Sequence, residues 1–162
     1  MQNDIQHART RYRERLTPGL PLLVTIALAG PMIALVFVPI GSTFALIIGA
    51  AASLALVAAS VLLSPAVRVD GTELRVGRAR IDAKWLGETE TFTGDEARER
   101  RGPGLPGNGW HLIRGGIDGL VVVPLNDPDD PVRTWTISSR TPDRLAAAIE
   151  AARRSATTQN RP

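Results

Sequence analysis

The residues whose types could do chemistry fall into four groups. His111 and the pair Ser138-Ser139 hold the parts of a base and a nucleophile, with an aspartate elsewhere to orient the imidazole. No nucleophile-elbow motif and no spacing signature joins them, so catalysis is not expected. Gly102-Pro103-Gly104-Leu105-Pro106-Gly107-Asn108-Gly109 has the composition of a phosphate cradle. A phosphate loop should open a helix, whose first N–H groups point at the anion. This one leads into the strand-like Trp110 and reads as a plain flexible loop. Asp127, Asp129 and Asp130 offer carboxylates to a divalent cation, but they lack calcium-loop spacing and a closing glutamate. A solvated turn is expected there. The chain has no cysteine, and its two histidines, His7 and His111, lie in separate segments. No disulfide, thiolate or metal-ligand spacing appears. No catalytic, cofactor-binding or metal-ligating residue is expected.

The fourth group is arginine. Arg9, Arg11, Arg13 and Arg15 precede a long apolar run, and Arg68, Arg75, Arg78, Arg80 and Lys84 follow it. Such clusters can hold anionic lipid headgroups, at about 1 kcal/mol per residue near the surface. They can equally do no more than set topology. The net charge of +3 is too small to imply nucleic acid.

The elements that position these groups come from charge and hydropathy patterning. Composition averages to an ordinary soluble domain, 44% hydrophobic and 22% charged. The average conceals a run of 52 residues, from Leu16 to Val67, without one Asp, Glu, Lys, Arg or His. A membrane-crossing helix needs about 20 residues. The run therefore accommodates two spans, at about 20–38 and 43–63, joined at Pro39-Ile40-Gly41-Ser42. Pro31 removes one helical hydrogen bond and should kink the first span, a break tolerated by packing on the second. Ala45, Gly49 and Ser53 recur at four-residue spacing, with a second row at Ala51, Ala55 and Ala59. The first span offers Ala27, Gly30 and Ala34. These rows are a helix-packing face, either within the hairpin or between copies. No ionisable residue lies in either span, which argues against an ion pathway. Arginine on both flanks and none in the turn puts both termini in the cytoplasm. Ala27-Leu28-Ala29 has the look of a signal-peptidase box, but apolar sequence continues far beyond it.

From Ala66 the period changes to two. Val67, Val69, Leu74, Val76 and Ile81 alternate with polar residues, and Asp70-Gly71 and Gly77-Arg78 mark reversals. Trp85–Phe92 reads as a further strand, and Thr93–Arg101 as a short helix with a Thr93/Glu96 capping box. Trp110–Arg114, Leu120–Leu125 and Thr134–Ser138 read as three more strands. Thr141-Pro142 opens a final helix with Leu145, Ile149 and Ala152 on its apolar stripe. Trp85, Trp110 and Trp135 are expected in the core, the alternative being an aromatic groove or membrane contact. The expected fold class is an α+β membrane protein. An N-terminal transmembrane α-helical hairpin precedes a small antiparallel β-rich domain, pleckstrin-homology-like in outline, closed by a C-terminal amphipathic helix. The expected divisions are a basic cytoplasmic segment (1–15), the hairpin (16–65), the β-rich domain with its helix (66–155) and a disordered tail (156–162).

Tyr12-Arg13-Glu14-Arg15-Leu16, the two spans, Val67 through Ile81, and Trp135 through Leu145 together resemble domain-of-unknown-function family 3093, small membrane proteins of actinobacteria. The likeness runs over roughly residues 10–150. It implies an integral plasma-membrane protein and carries over no activity and no functional residue. The expected function is a non-enzymatic, membrane-anchored cytoplasmic module, without cofactor, that binds a protein partner or the anionic inner leaflet. The alternative is an accessory subunit of a larger membrane transport or envelope-synthesis complex, docked through Ala45, Gly49 and Ser53. An enzyme acting on lipid or an envelope precursor would need polar groups converging near Arg68–Lys84.

Overall fold

The computed structural model describes residues 11–159, which form two compact units. The first is Thr17–Ser64. The second joins residues 11–16 to the chain from Pro65 onward.

The first unit is a helical hairpin of α1 (Leu20–Ala27), α2 (Ala29–Phe37) and α3 (Ser42–Leu62). Leu20–Phe37 and Ser42–Leu62 are each long and apolar enough to cross a membrane, with mean hydropathies of 2.3 and 2.4. Their large side chains face outward: Met32 is 71% exposed, Val36 72% and Leu54 72%. The break falls at Leu28, not at Pro31 itself. Proline lacks the N–H that would bond the carbonyl four residues back, so the disruption appears at Ala27. That carbonyl accepts instead from Ser53 Oγ at 2.6 Å. Thr25, Ser60 and Ser64 likewise donate to carbonyls one turn back in the chain. The seam is small residues throughout. A Cβ on Gly49 would lie 2.7 Å from the Gly30 carbonyl oxygen and 2.7 Å from Ala34 Cβ. A Cβ on Gly30 would collide with the Ser53 side chain. Ala45 and Gly49 are buried against α1–α2, whereas Ala51, Ala55 and Ala59 are exposed.

The second unit contains two four-stranded sheets. Sheet one runs in order β1 (Arg11–Arg15), β2 (Ala66–Asp70), β3 (Glu73–Val76) and β4 (Ala79–Asp82), all antiparallel. Gly71 and Gly77, each at φ 62°, sit first in their two-residue turns, the position a type II′ hairpin reserves for glycine. The basic segment before the apolar run is thus an edge strand and not a loose flank. Tyr12, Glu14 and Leu16 alternate inward against Arg13 and Arg15, and Leu16 N–H closes the pair on the Pro65 carbonyl at 2.9 Å.

Sheet two has the order β5 (Glu90–Phe92), β7 (Gly119–Pro124), β8 (Thr134–Ser139), β6 (Gly109–Leu112). Two expectations need correction here. The sheet is not wholly antiparallel, because the chain after β6 crosses to the far side of β8 before entering β7, leaving β6 parallel to β8. Trp85–Phe92 is not one strand. Asp82 Oδ1 accepts from Lys84 N–H at 3.0 Å and turns the chain into a short 3-10 helix, Ala83–Trp85. Regular pairing resumes only at Glu90. Helix α4 (Gly94–Arg100) forms, but Thr93 makes no side-chain cap.

The core lies between the inner faces of both sheets and α5 (Pro142–Gln159). Val67, Val69, Leu74 and Val76 are fully buried with Val121, Val123, Ile137, Leu145 and Ile149. The helix runs past Ser155, because Ala156 continues the stripe of Ala148 and Ala152 and is itself buried. The expected tail therefore shrinks. Residues 160–162 lie outside the described residues.

Candidate functional site

Directly opposed residues in an antiparallel pair share a face of the sheet. In sheet one Arg13 opposes Arg68, Arg68 opposes Arg75, and Arg75 opposes Arg80. Four arginines therefore form one row across four strands. With strands about 4.8 Å apart the row is ~14 Å long. Val67, Val69, Leu74, Val76 and Ile81 occupy the opposite, buried face, so the row lies on the outer one. Arg13, Arg75 and Arg80 are exposed and Arg68 half-buried. Like charges directly opposed are destabilising, by up to about 1 kcal/mol a pair.

The next row along the strands holds Arg11, Asp70, Glu73 and Asp82, so an arginine row lies beside a mainly acidic one. Arg75 Nη2 donates to Glu73 Oε2 at 2.7 Å. That hydrogen bond outweighs the small effect of burial and, with the charges of Arg75 and Arg80, holds the Glu73 carboxyl below its ordinary range. It raises Arg75 in turn. Among the described residues, no carboxylate lies within ion-pair distance of Arg13, Arg68, Arg78 or Arg80. Arg78 is exposed in the β3–β4 turn, and Arg15 is exposed at the end of β1 opposite Ala66. Arg11 is placed by its backbone, opposite Asp70. Arg9 and His7 lie outside the described residues. The structure thus gathers Arg13, Arg68, Arg75 and Arg80 into one row, with Arg78 and Arg15 on the same sheet.

A second polar cluster ties β1 to the β8–α5 corner. The Glu14 carboxylate accepts from Ser139 Oγ at 2.6 Å, Tyr12 Oη at 2.7 Å and Arg140 N–H at 2.8 Å. Tyr12 Oη also meets Thr141 Oγ1 at 2.9 Å. Burial raises the Tyr12 phenol, the Ser139 and Thr141 hydrogen bonds oppose that, and Glu14 adds to it; the net direction is up. Ser139 is fully buried and Tyr12 and Glu14 are half-buried, so the cluster fastens β1 to the β8–α5 corner, with Arg140 and Thr141 exposed at its edge.

The other candidates disperse. His111 Nε2 meets the Pro106 carbonyl at 3.1 Å, and its strand partner is Thr136. Ser138 Oγ accepts from Arg114 N–H at 3.1 Å, while Ser139 serves Glu14. No triad assembles. The glycine-rich loop turns its donors onto the end of α4, where Gly102 and Gly104 N–H both bond the Glu99 carbonyl. Asp127 and Asp130 each accept a backbone N–H two residues on, as turn residues do. Among the described residues no group of His, Asp and Glu could hold a metal. Trp135 is core, with the Trp110 ring 4.8 Å away and tilted 40° to it; Trp110 and Trp85 are partly buried against the core, and Lys84 Nζ lies 4.9 Å from the Trp85 ring centroid. An open groove of about 440 Å³, lined by Phe92, Glu96, Glu99, Arg100 and Gly104, lies away from the arginine row.

The family model described as Protein of unknown function (DUF3093) matches residues 11–149. The chain belongs to that family. The match opens on β1 and closes within α5, so it spans both the arginine row and the Glu14 cluster. No curated protein and no solved structure matches. The family description assigns no activity, so residue roles rest on geometry. Reading residues singly misses the row. The signal is a single outward arginine in each of AVRVD, ELRV and ARID, combined with the two hairpin registers; which of the three alternate arginines of RYRER joins them, Arg13, is set by the pairing of β1 with β2.

Proposed function

We propose that this protein is a non-enzymatic, integral plasma-membrane module. The helical hairpin anchors it, the β-rich domain and both termini are cytoplasmic, and the outer face of sheet one engages anionic groups at the inner leaflet. The observation that carries the reading is the arginine row. A protein gains nothing in stability from four opposed guanidinium groups, so their alignment is best explained by an anionic partner. The uncharged hairpin with its outward apolar side chains supports the anchoring half. The β-rich unit has two sheets and a C-terminal helix, with β6 parallel to β8. The rival reading, a subunit docked through Ala45, Gly49 and Ser53, is weakened because Ala45 and Gly49 pack inside the hairpin.

The absence of cysteine makes the test direct. Gly41→Cys and Thr157→Cys, one at a time, are treated with a membrane-impermeant thiol reagent. Gly41→Cys should react in intact cells and Thr157→Cys only in inverted vesicles. The reverse pattern, or reaction of both from one side, overturns the arrangement.

A further inference from the structure

The striped charge of sheet one narrows what its arginine row would bind. We propose that the row is a binding site for a compact polyanion, a phosphomonoester or diphosphate group, and not a general contact for a negatively charged surface. This rests on the proposed reading of the arginine face. Three observations carry it. Arg13 and Arg68 are directly opposed, with neighbouring Cβ atoms about 5 Å apart in such a pair. Neither has a carboxylate partner among the described residues. Two planar forks at that spacing suit different oxygens of one phosphate-bearing group, since guanidinium binds such oxygens bidentately.

Charge points the same way. A phosphomonoester carries about −1.5 to −2 near neutral pH and meets two guanidinium groups. A phosphodiester carries a single charge and meets one. Finally, the neighbouring row, two residues along the strands, holds three carboxylates, Asp70, Glu73 and Asp82, with Arg11 opposite Asp70 at its edge. A flat anionic surface laid over this face meets attraction from one row and repulsion from the next. A compact group seated between Arg13 and Arg68 avoids the carboxylates, whereas Arg75, the next arginine in the row, is already paired with Glu73 at 2.7 Å.

The test uses the full chain in nanodiscs. In discs of zwitterionic lipid, inorganic diphosphate is titrated by calorimetry at constant ionic strength. In a parallel series, discs contain phosphatidic acid, or phosphatidylglycerol at equal total charge, and amide exchange of residues 75–80 is followed. The variants are Arg13→Gln/Arg68→Gln and, as a charge-matched control, the exposed pair Arg144→Gln/Arg154→Gln. Saturable diphosphate binding, weakened about tenfold or more in the first variant and less than twofold in the control, supports a soluble phosphate ligand. Protection in phosphatidic acid discs exceeding that in phosphatidylglycerol discs, and lost only in the first variant, supports a lipid headgroup. Equal losses in both variants, or neither binding nor selective protection, overturns the proposal. Tryptophan fluorescence confirms that each variant is folded. The thiol-labelling experiment fails or succeeds independently, so a wrong topology is distinguishable from a wrong ligand.

Discussion

Replacing Glu14 by alanine should unfold the β-rich unit well before it touches any ligand. The side chain is only 12% exposed and accepts three hydrogen bonds, from Ser139, Tyr12 and the Arg140 backbone, with Arg140 Nη1 at 3.9 Å. Hydrogen bonds to a charged acceptor are worth about 1.5–3 kcal/mol each. The full sum overstates the loss, because one of the three donors has a second partner: Tyr12 Oη remains 2.9 Å from Thr141 Oγ1. Ser139 Oγ keeps the bond it accepts from Thr141 N–H at 3.1 Å but loses the acceptor for its own hydrogen. The loss concentrates on the Arg140 N–H and on the buried Ser139 hydroxyl, so about 3 kcal/mol is expected. At roughly 4 °C per kcal/mol the midpoint falls by roughly 12 °C. Glu14→Gln keeps one acceptor oxygen and should lose about half as much. The assay is thermal unfolding in detergent followed by tryptophan emission. All three tryptophans, Trp85, Trp110 and Trp135, lie in this unit and none in the hairpin, so the signal reports it alone. A Glu14→Ala midpoint within about 2 °C of wild type would refute the reasoning, since β1 would then be held by strand pairing without the cluster.

Arg68→Thr removes the charge that faces both Arg13 and Arg75, and should stabilise the same unit by about 1 kcal/mol at low salt. The gain should vanish near 1 M salt, where screening acts within about 3 Å, and a salt-independent change would assign it to packing. In the hairpin, Ser53→Ala leaves the Ala27 carbonyl without its donor and should cost about 1 kcal/mol. In a Pro31→Ala background a backbone N–H returns to that carbonyl, and the cost should fall to near zero. Additive effects in unfolding from mixed micelles would break this account. Burial raises the Glu150 carboxyl, but Arg153 and Thr89 outweigh it and the net direction is down. Its folded pKa is therefore below its unfolded value of 4.5. The stability it contributes is present above that value and lost as pH falls through the folded pKa. Glu150→Gln should flatten the acid limb of a stability–pH curve below about pH 5, and an unchanged limb would count against the pairing.

Much of the architecture was legible because apolar and polar positions alternate cleanly. Val67, Val69, Leu74, Val76 and Ile81 read as the inward positions of strands, and those side chains are the buried ones. Leu145, Ile149 and Ala152 read as a helix stripe, and they line the core. Arg11–Arg15 misled because a glutamate stands at an inward position. Its burial is compensated by Ser139 and Arg140, more than a hundred residues later, which no local window reveals. The parallel β6–β8 pair escaped for a similar reason, since register between non-adjacent strands is set by the core and not by turn chemistry. Pro31 was readable as a broken hydrogen bond, but its repair by Ser53 needed the hairpin seam. The arginines were visible one by one. Their union into a row needed the register of β1 on β2, a pairing across the whole apolar run.

That pairing has a consequence for how the protein is made. The first strand leaves the ribosome before the hairpin and its partner strand after it, so sheet one cannot close until the intervening apolar run has been dealt with. Folding of the water-soluble part therefore waits on disposal of the greasy part, and a chain whose hairpin stalls exposes the unpaired edge of β2 as well as its apolar helices. A fragment begun at Pro65 would carry the same open edge and invite edge-to-edge association. A sound soluble version would instead join Leu16 to Pro65 through a short turn, using the 2.9 Å hydrogen bond that already closes the two ends. The insertion then becomes a removable loop, and the sheet with its arginines can be studied without lipid.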